Sequence, residues 1–176
     1  LAATVKDTLG YGGRAAIPTT RLIEFDLPRA LPSFVYDVQT MSQMGSNEGL
    51  ASPDRDFIAF REDVWEGALR GRGRDRFTVA HEVGHLILHQ KENIVLRRAT
   101  SRPAMLCRPE WQANTFAAEF LMDYRQIDPN DTEVELARRF GVSIGAASRR
   151  LRTLTMTGAF EQKSEPRLSP GSLQRT

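Results

Sequence analysis

His81 and His85 stand four positions apart in the stretch RFTVAHEVGHLILH (76–89), and Glu82 directly follows the first of them. On a helix two such side chains leave one face about a turn apart, so their imidazole nitrogens can converge on one metal ion. HExxH on a helix signals a zinc-dependent peptidase whose glutamate takes a proton from water and passes it to the leaving amine. The pattern nominates His81 and His85 as zinc ligands and Glu82 as the catalytic base. Three fixed positions arise by chance in roughly one chain in a few hundred of average composition, so the rest of the chain must supply support.

Catalytic zinc takes three protein ligands and keeps one position open for water. His89, Cys107, Glu110 and Glu119 are the downstream candidates for the third. One straight helix does not easily wrap three successive turns around an ion, and a histidine at a helix end also interacts well with the last carbonyls, so His89 is disfavoured. A single cysteine is more often a small buried hydrophobe than a ligand. Glu119 lies half a turn from Glu110 and points away if Glu110 points in. Glu110 is the best placed, although a first-turn carboxylate is also what the helix dipole favours without any metal. Asn114, one turn later on the same side, could orient a ligating histidine from behind, or be a plain surface amide. For the oxyanion donor only Tyr124 and His89 suggest themselves.

The elements that must position these residues read as α+β. Residues 1–9 suggest a helix stopped by Gly10, Gly12 and Gly13, and a second runs from Pro18 to Glu24 or Phe25, ended by Pro28 and Pro32. Phe34 to Gln39 and Asp56 to Arg61 alternate and are rich in aromatic and β-branched residues, with a short strand from Gly49 to Ser52 between them. Together they imply a small antiparallel sheet. The 56–61 strand, if an edge, could hold an extended substrate; otherwise it is a core strand. A short helix from Asp63 to Leu69 leads into a loop carrying Arg70, Arg72, Arg74 and Arg76, expected to be solvated, and Asp75 suggests the N-cap of the motif helix. The close position of Gly84 suggests that something packs tightly there.

Beyond a loop with a short strand at Ile94 to Leu96, Pro109 opens an amphipathic helix from Glu110 to Met122. Thr132 and Glu135 have capping-box spacing before a helix ending at Phe140, Gly141 turns the chain, and Ser143 caps a helix to about Leu154, which together resemble a helix-turn-helix. The expected division is a domain over 1–129, the helical segment over 130–158, and a disordered tail over 159–176.

Across the 176 residues 24 are basic and 22 acidic, and arginine outnumbers lysine heavily, only Lys6, Lys91 and Lys163 being lysine. A net charge of +2 with no long basic run argues against nucleic-acid binding as the main role. A DNA-binding regulator using Arg138, Arg139, Arg149, Arg150 and Arg152 stays open as an alternative. So does a non-catalytic, toxin–antitoxin-type interaction protein with a structural zinc. Cys107 is the single cysteine, which excludes an intrachain disulfide framework and suggests a reducing, cytoplasmic setting. No apolar run reaches membrane-spanning length.

RFTVAHEVGHLILH, then EWQANTFAAEFLM (110–122), then ELARRFGVSIGAASRRL (135–151) resemble the ImmA/IrrE family of metallopeptidases, which carry HExxH, a downstream ExxxN helix and a helix-turn-helix-like segment. The resemblance spans roughly residues 57–154. It implies a zincin-like fold and a zinc ion held by His81, His85 and Glu110, with Glu82 as catalyst. It also implies a helix-turn-helix repressor as substrate, whose cleavage releases stress-response or mobile-element genes. Family members often have a proline after the FAAxLLM run, where this chain has Asp123 and Tyr124, which leaves the end of that helix undefined.

Overall fold

The computed structural model of the chain describes residues 1–52, 57–88 and 108–164. Helix α1 covers Ala2–Thr8. Helix α2 is continuous from Thr19–Arg21 through a π-helical turn at Leu22–Asp26 into Leu27–Ala30. Pro28 therefore lies inside this helix and does not end it. Its missing amide leaves one intrahelical bond unmade, and the widened turn just before it absorbs the change of register.

Strand β1, Val35–Gln39, is followed by a one-turn helix α3, Met41–Met44, opened by a Thr40–Gln43 capping box. Strands β2, Gly49–Ala51, and β3, Phe57–Arg61, complete a sheet of order β1-β3-β2. β2 pairs antiparallel with β3, but β1 pairs parallel with it, Val35 opposite Phe57. The expected antiparallel sheet is thus mixed. Alternating residues declare a strand without declaring its direction, and the connection through α3 is long enough to bring the chain back for a parallel partner. β3 is central: Ile58, Ala59 and Phe60 are all buried. Asp56 lies outside the described residues.

Helix α4, Glu62–Leu69, carries Trp65, which stacks on Tyr36 at 5.2 Å and on Phe60 at 5.4 Å. Helix α5, Gly73–Leu88, carries the motif. It begins two residues before Asp75, which is buried in its first turn and pairs with Arg72 at 2.7 Å instead of capping the helix. Gly73 permits this start, because a Cβ there would lie 2.3 Å from the Val142 carbonyl carbon. In the arginine-rich approach Arg70, Arg72 and Arg74 are exposed, as expected, and Arg76 departs from the expectation. Arg70 pairs with Glu66, Arg74 with Glu48, and Arg76 is buried, donating to the carbonyls of Ile17 at 2.6 Å, Phe140 at 3.2 Å and Gly141.

Helix α6, Pro109–Leu121, crosses α5 at Gly84, where an added Cβ would stand 3.1 Å from Ala113. Asp123 ends this region by capping a 3-10 turn, Tyr124–Gln126, and pairing with Arg125 at 2.6 Å. Helix α7, Glu133–Phe140, starts with the Thr132–Glu135 capping box and stops at Gly141 in the left-handed region, φ 63°. Ser143 then caps helix α8, Ile144–Met156. Leu136, Phe140, Ala147 and Leu154 are buried in the same apolar cluster as Leu22, Phe60, Val83 and Phe120, so the C-terminal helix pair shares one core with the sheet and α5. Helix α9, Ala159–Ser164, occupies the first residues of the stretch expected to be a tail. The expected strand at 94–96 and residues 165–176 lie outside the described residues. Among the described residues no helix is long and apolar enough to cross a membrane.

Candidate metal centre

Helix periodicity aims His81 and His85 from one side of α5, and the tight crossing at Gly84 brings the first turn of α6 over them. The two Nε2 atoms are 3.0 Å apart, and the Glu110 carboxylate places one oxygen 3.3 Å from each. Ligands held at ~2.0–2.1 Å around a tetrahedral zinc stand ~3.3 Å from one another. The spacing therefore fits a small divalent cation, and two facing imidazole nitrogens beside a carboxylate make a donor set suited to zinc.

Asn114 fixes one ring. Its Nδ2 donates to the Glu110 carbonyl at 2.8 Å, which orients the amide so that Oδ1 lies 3.2 Å from His81 Nδ1. With the Nδ1–H donating to that oxygen, Nε2 keeps its lone pair toward the cluster. Asn114 is thus where the helix wheel puts it, one turn beyond Glu110.

Glu82 is buried next to the cluster. Burial pushes its carboxyl up to about 7, with the nearby Glu110 carboxylate adding to the rise and a hydrogen bond from the Ala51 amide opposing it. The side chain fits only because residue 49 is glycine: a Cβ there would lie 2.5 Å from Glu82 Cγ. Gly49 and the Ala51 amide were not among the residues picked out by sequence. Glycine in a short strand does mark a close approach in general, but nothing local to 49–51 says that the visitor is Glu82, over thirty residues downstream.

The cluster opens into a cleft of about 600 Å³ bounded by β2 on one side and by Phe77, Thr78 and the two histidines on the other. Because β3 is paired on both sides, it cannot receive a substrate strand; β2 is the edge that borders the cleft. Tyr124 does not line the cleft. Glu119 faces Arg150 at 3.7 Å, away from the cluster. His89 and Cys107 lie outside the described residues. Of the arginines considered for DNA, Arg150 is buried and donates to the Met122 carbonyl at 3.1 Å, and Arg139 is held by Asp131 at 2.5 Å and the Gln126 carbonyl at 3.0 Å.

An α+β domain with two histidines and a glutamate converging beside a buried carboxylate defines a metallopeptidase-type centre. A family model described as the IrrE N-terminal-like domain, peptidase family M78, matches residues 37–152, from inside β1 to within α8, and the chain belongs to that family. No curated protein and no solved structure matches it.

Proposed function

We propose that this chain is a zinc-dependent endopeptidase that cleaves a helix-turn-helix transcriptional repressor and so relieves repression of stress-response or mobile-element genes. The observation that carries the reading is the convergence of His81, His85 and Glu110 at 3.0–3.3 Å around one point, beside the buried Glu82. Zinc, when bound there, supplies Lewis acidity toward a carbonyl and acidifies water. His81, His85 and Glu110 would hold it, and Asn114 keeps the His81 ring in the right tautomer.

Glu82 performs the proton transfers, taking a proton from the attacking water and returning it to the departing amine. Its buried seat against β2 excludes bulk water from the carboxyl, and the Ala51 amide holds the carboxylate form. Among the described residues β2 has no second strand partner, and its backbone groups other than the Ala51 amide face an extended substrate segment, which would join the sheet as an added strand over the cleft. The repressor as substrate rests on the family resemblance. The C-terminal helix pair, α7 and α8, serves in this reading as a wall of the enzyme, since its turn is locked onto α5 by Arg76.

The deciding experiment is metal analysis with co-incubation against helix-turn-helix proteins encoded beside this gene. Wild type should bind about one zinc and cut its cognate repressor, and Glu82→Gln should bind zinc and cut nothing. Equal cleavage by the variant would remove Glu82 from the mechanism. Cleavage by a metal-free preparation would remove the zinc.

A further inference from the structure

The metal cleft does not end at the histidines. Phe77 and Asn114, which border it, also border a second cavity of about 380 Å³ that runs between α6 and α8. Its walls are two helical stripes of matching period: Trp111, Asn114, Thr115 and Ala118 from α6, and Ala146, Arg149, Arg150 and Thr153 from α8. Each stripe follows the i, i+3, i+4, i+7 spacing of a single helix face. Two such faces normally close on each other. Here they stay apart and leave a groove.

The groove has a definite chemistry. The hydroxyls of Thr115 and Thr153 are spent on their own helices, donating to the Trp111 carbonyl at 2.8 Å and the Arg149 carbonyl at 2.9 Å. What remains is the Trp111 ring, the Phe77 ring, the Asn114 amide, two alanine methyls and two guanidinium groups, with no carboxylate among the described lining residues. Arg150 is only 5% exposed, anchored by the Met122 carbonyl and partly balanced by Glu119 at 3.7 Å. Arg149 is exposed, and among the described residues its guanidinium has no ion-pair partner. The metal end of the cleft carries Glu48, Glu82 and Glu110. The continuous surface therefore runs from the metal cluster at one end to a cationic end with an aromatic wall.

We infer that this groove is a specificity subsite for a polypeptide substrate, which places an acidic side chain against Arg149 and an apolar neighbour on Trp111. This inference rests on the peptidase reading for its view that a polypeptide enters the cleft. A cation beside an aromatic wall also suits nucleic acid. The direct opening of the groove onto the metal cleft favours a chain that reaches both. A rigid subsite on one side of the cluster fixes the acidic residue at one offset, on one side only, of the bond that is cut.

The test selects from a randomised decapeptide library with the zinc-loaded Glu82→Gln chain, which binds without consuming its ligand. Selected peptides should carry Asp or Glu at one position beside an apolar residue. Arg149→Glu should weaken the best acidic peptide about tenfold or more and turn the preference toward Lys or Arg, whereas Arg149→Lys should retain most of it. Arg149 is exposed, so its replacement leaves the core intact, and circular dichroism checks this. Selection without an acidic preference, no selected peptide at all, equal binding to Arg149→Glu, or displacement of the peptides by duplex DNA overturns the subsite. Wild-type chain is then incubated with the selected peptides. Acid-selective binding without Glu82-dependent cleavage supports the subsite and defeats the peptidase reading, and cleavage without acidic preference does the reverse.

Discussion

The two ends of α5 use buried polar side chains in opposite ways. At its start Arg76 is enclosed and its guanidinium finds three carbonyl acceptors, from Ile17, Phe140 and Gly141. Those bonds tie together the segment before α2, the motif helix and the turn between α7 and α8. Two turns further on, two imidazole nitrogens face each other at 3.0 Å and the Glu82 carboxyl is buried beside a second carboxylate. Satisfied polar groups make architecture, because an unpaired buried donor costs about 1–3 kcal/mol and a paired one does not. Groups of the kind found at the second end are stable only with something added, a cation or a proton. The contrast teaches which half of the helix is built for holding and which for chemistry.

The contrast breaks most completely at Glu82. Glu82→Gln should lower peptidase activity by about 10²–10⁴-fold with zinc stoichiometry unchanged, read by cleavage kinetics and metal analysis. At the other end, Arg76→Met should lower unfolding free energy by ~3 kcal/mol or more, since two buried carbonyls and a half-buried one lose their donor. A urea titration measures this, and an unchanged midpoint would show that the guanidinium is not structural. Asn114→Ala should weaken zinc binding by about 10–100-fold while leaving the urea midpoint almost unmoved, as expected of a group that only orients a ring.

Lys6 sharpens the comparison with the smallest effect. It is fully buried, its Nζ has no hydrogen-bond partner among the described residues, and burial lowers its pKa from 10.5 despite the nearby Asp123 carboxylate. A depressed folded pKa makes stability greatest above pH 10.5 and lets it fall as pH drops toward the folded value. Lys6→Met should flatten that slope and raise stability by ~1 kcal/mol. Thermal melts from pH 8 to 11 decide it; a destabilised, equally sloped variant would show that the ammonium is needed where it is.

Local signals were legible wherever a few consecutive residues carry the cause. HEVGH on one helix face, Pro109 opening α6, the Thr132–Glu135 box, Gly141 and the Ser143 cap all depend on neighbours within one turn, and each stands where its spacing puts it. Asp75 had the chemistry of a cap, yet Gly73 could approach Val142 and the helix started earlier. Arg76 and Arg150 had the look of surface cations and are buried, because their acceptors come from other parts of the chain: residues 17, 140 and 141 for one and 122 for the other. The direction of β1 and the central position of β3 were likewise invisible, since strand patterning is blind to partners.

By itself the sequence determined the metal-binding grammar of this protein: which side chains can hold a cation, which carboxyl adjoins them, and that His81 and His85 share a face, because a helix turns by a constant angle per residue. It also marked Glu110 and Asn114 as sharing a side of one helix. That this side faces the histidines was decided by the packing of α5 on α6 at Gly84. The placement of Gly49 and the Ala51 amide against Glu82, and the groove that α6 and α8 leave beside the cleft, also came only from tertiary structure. Those contacts join residues with no sequence proximity, so their energy exists only once the core has closed around them.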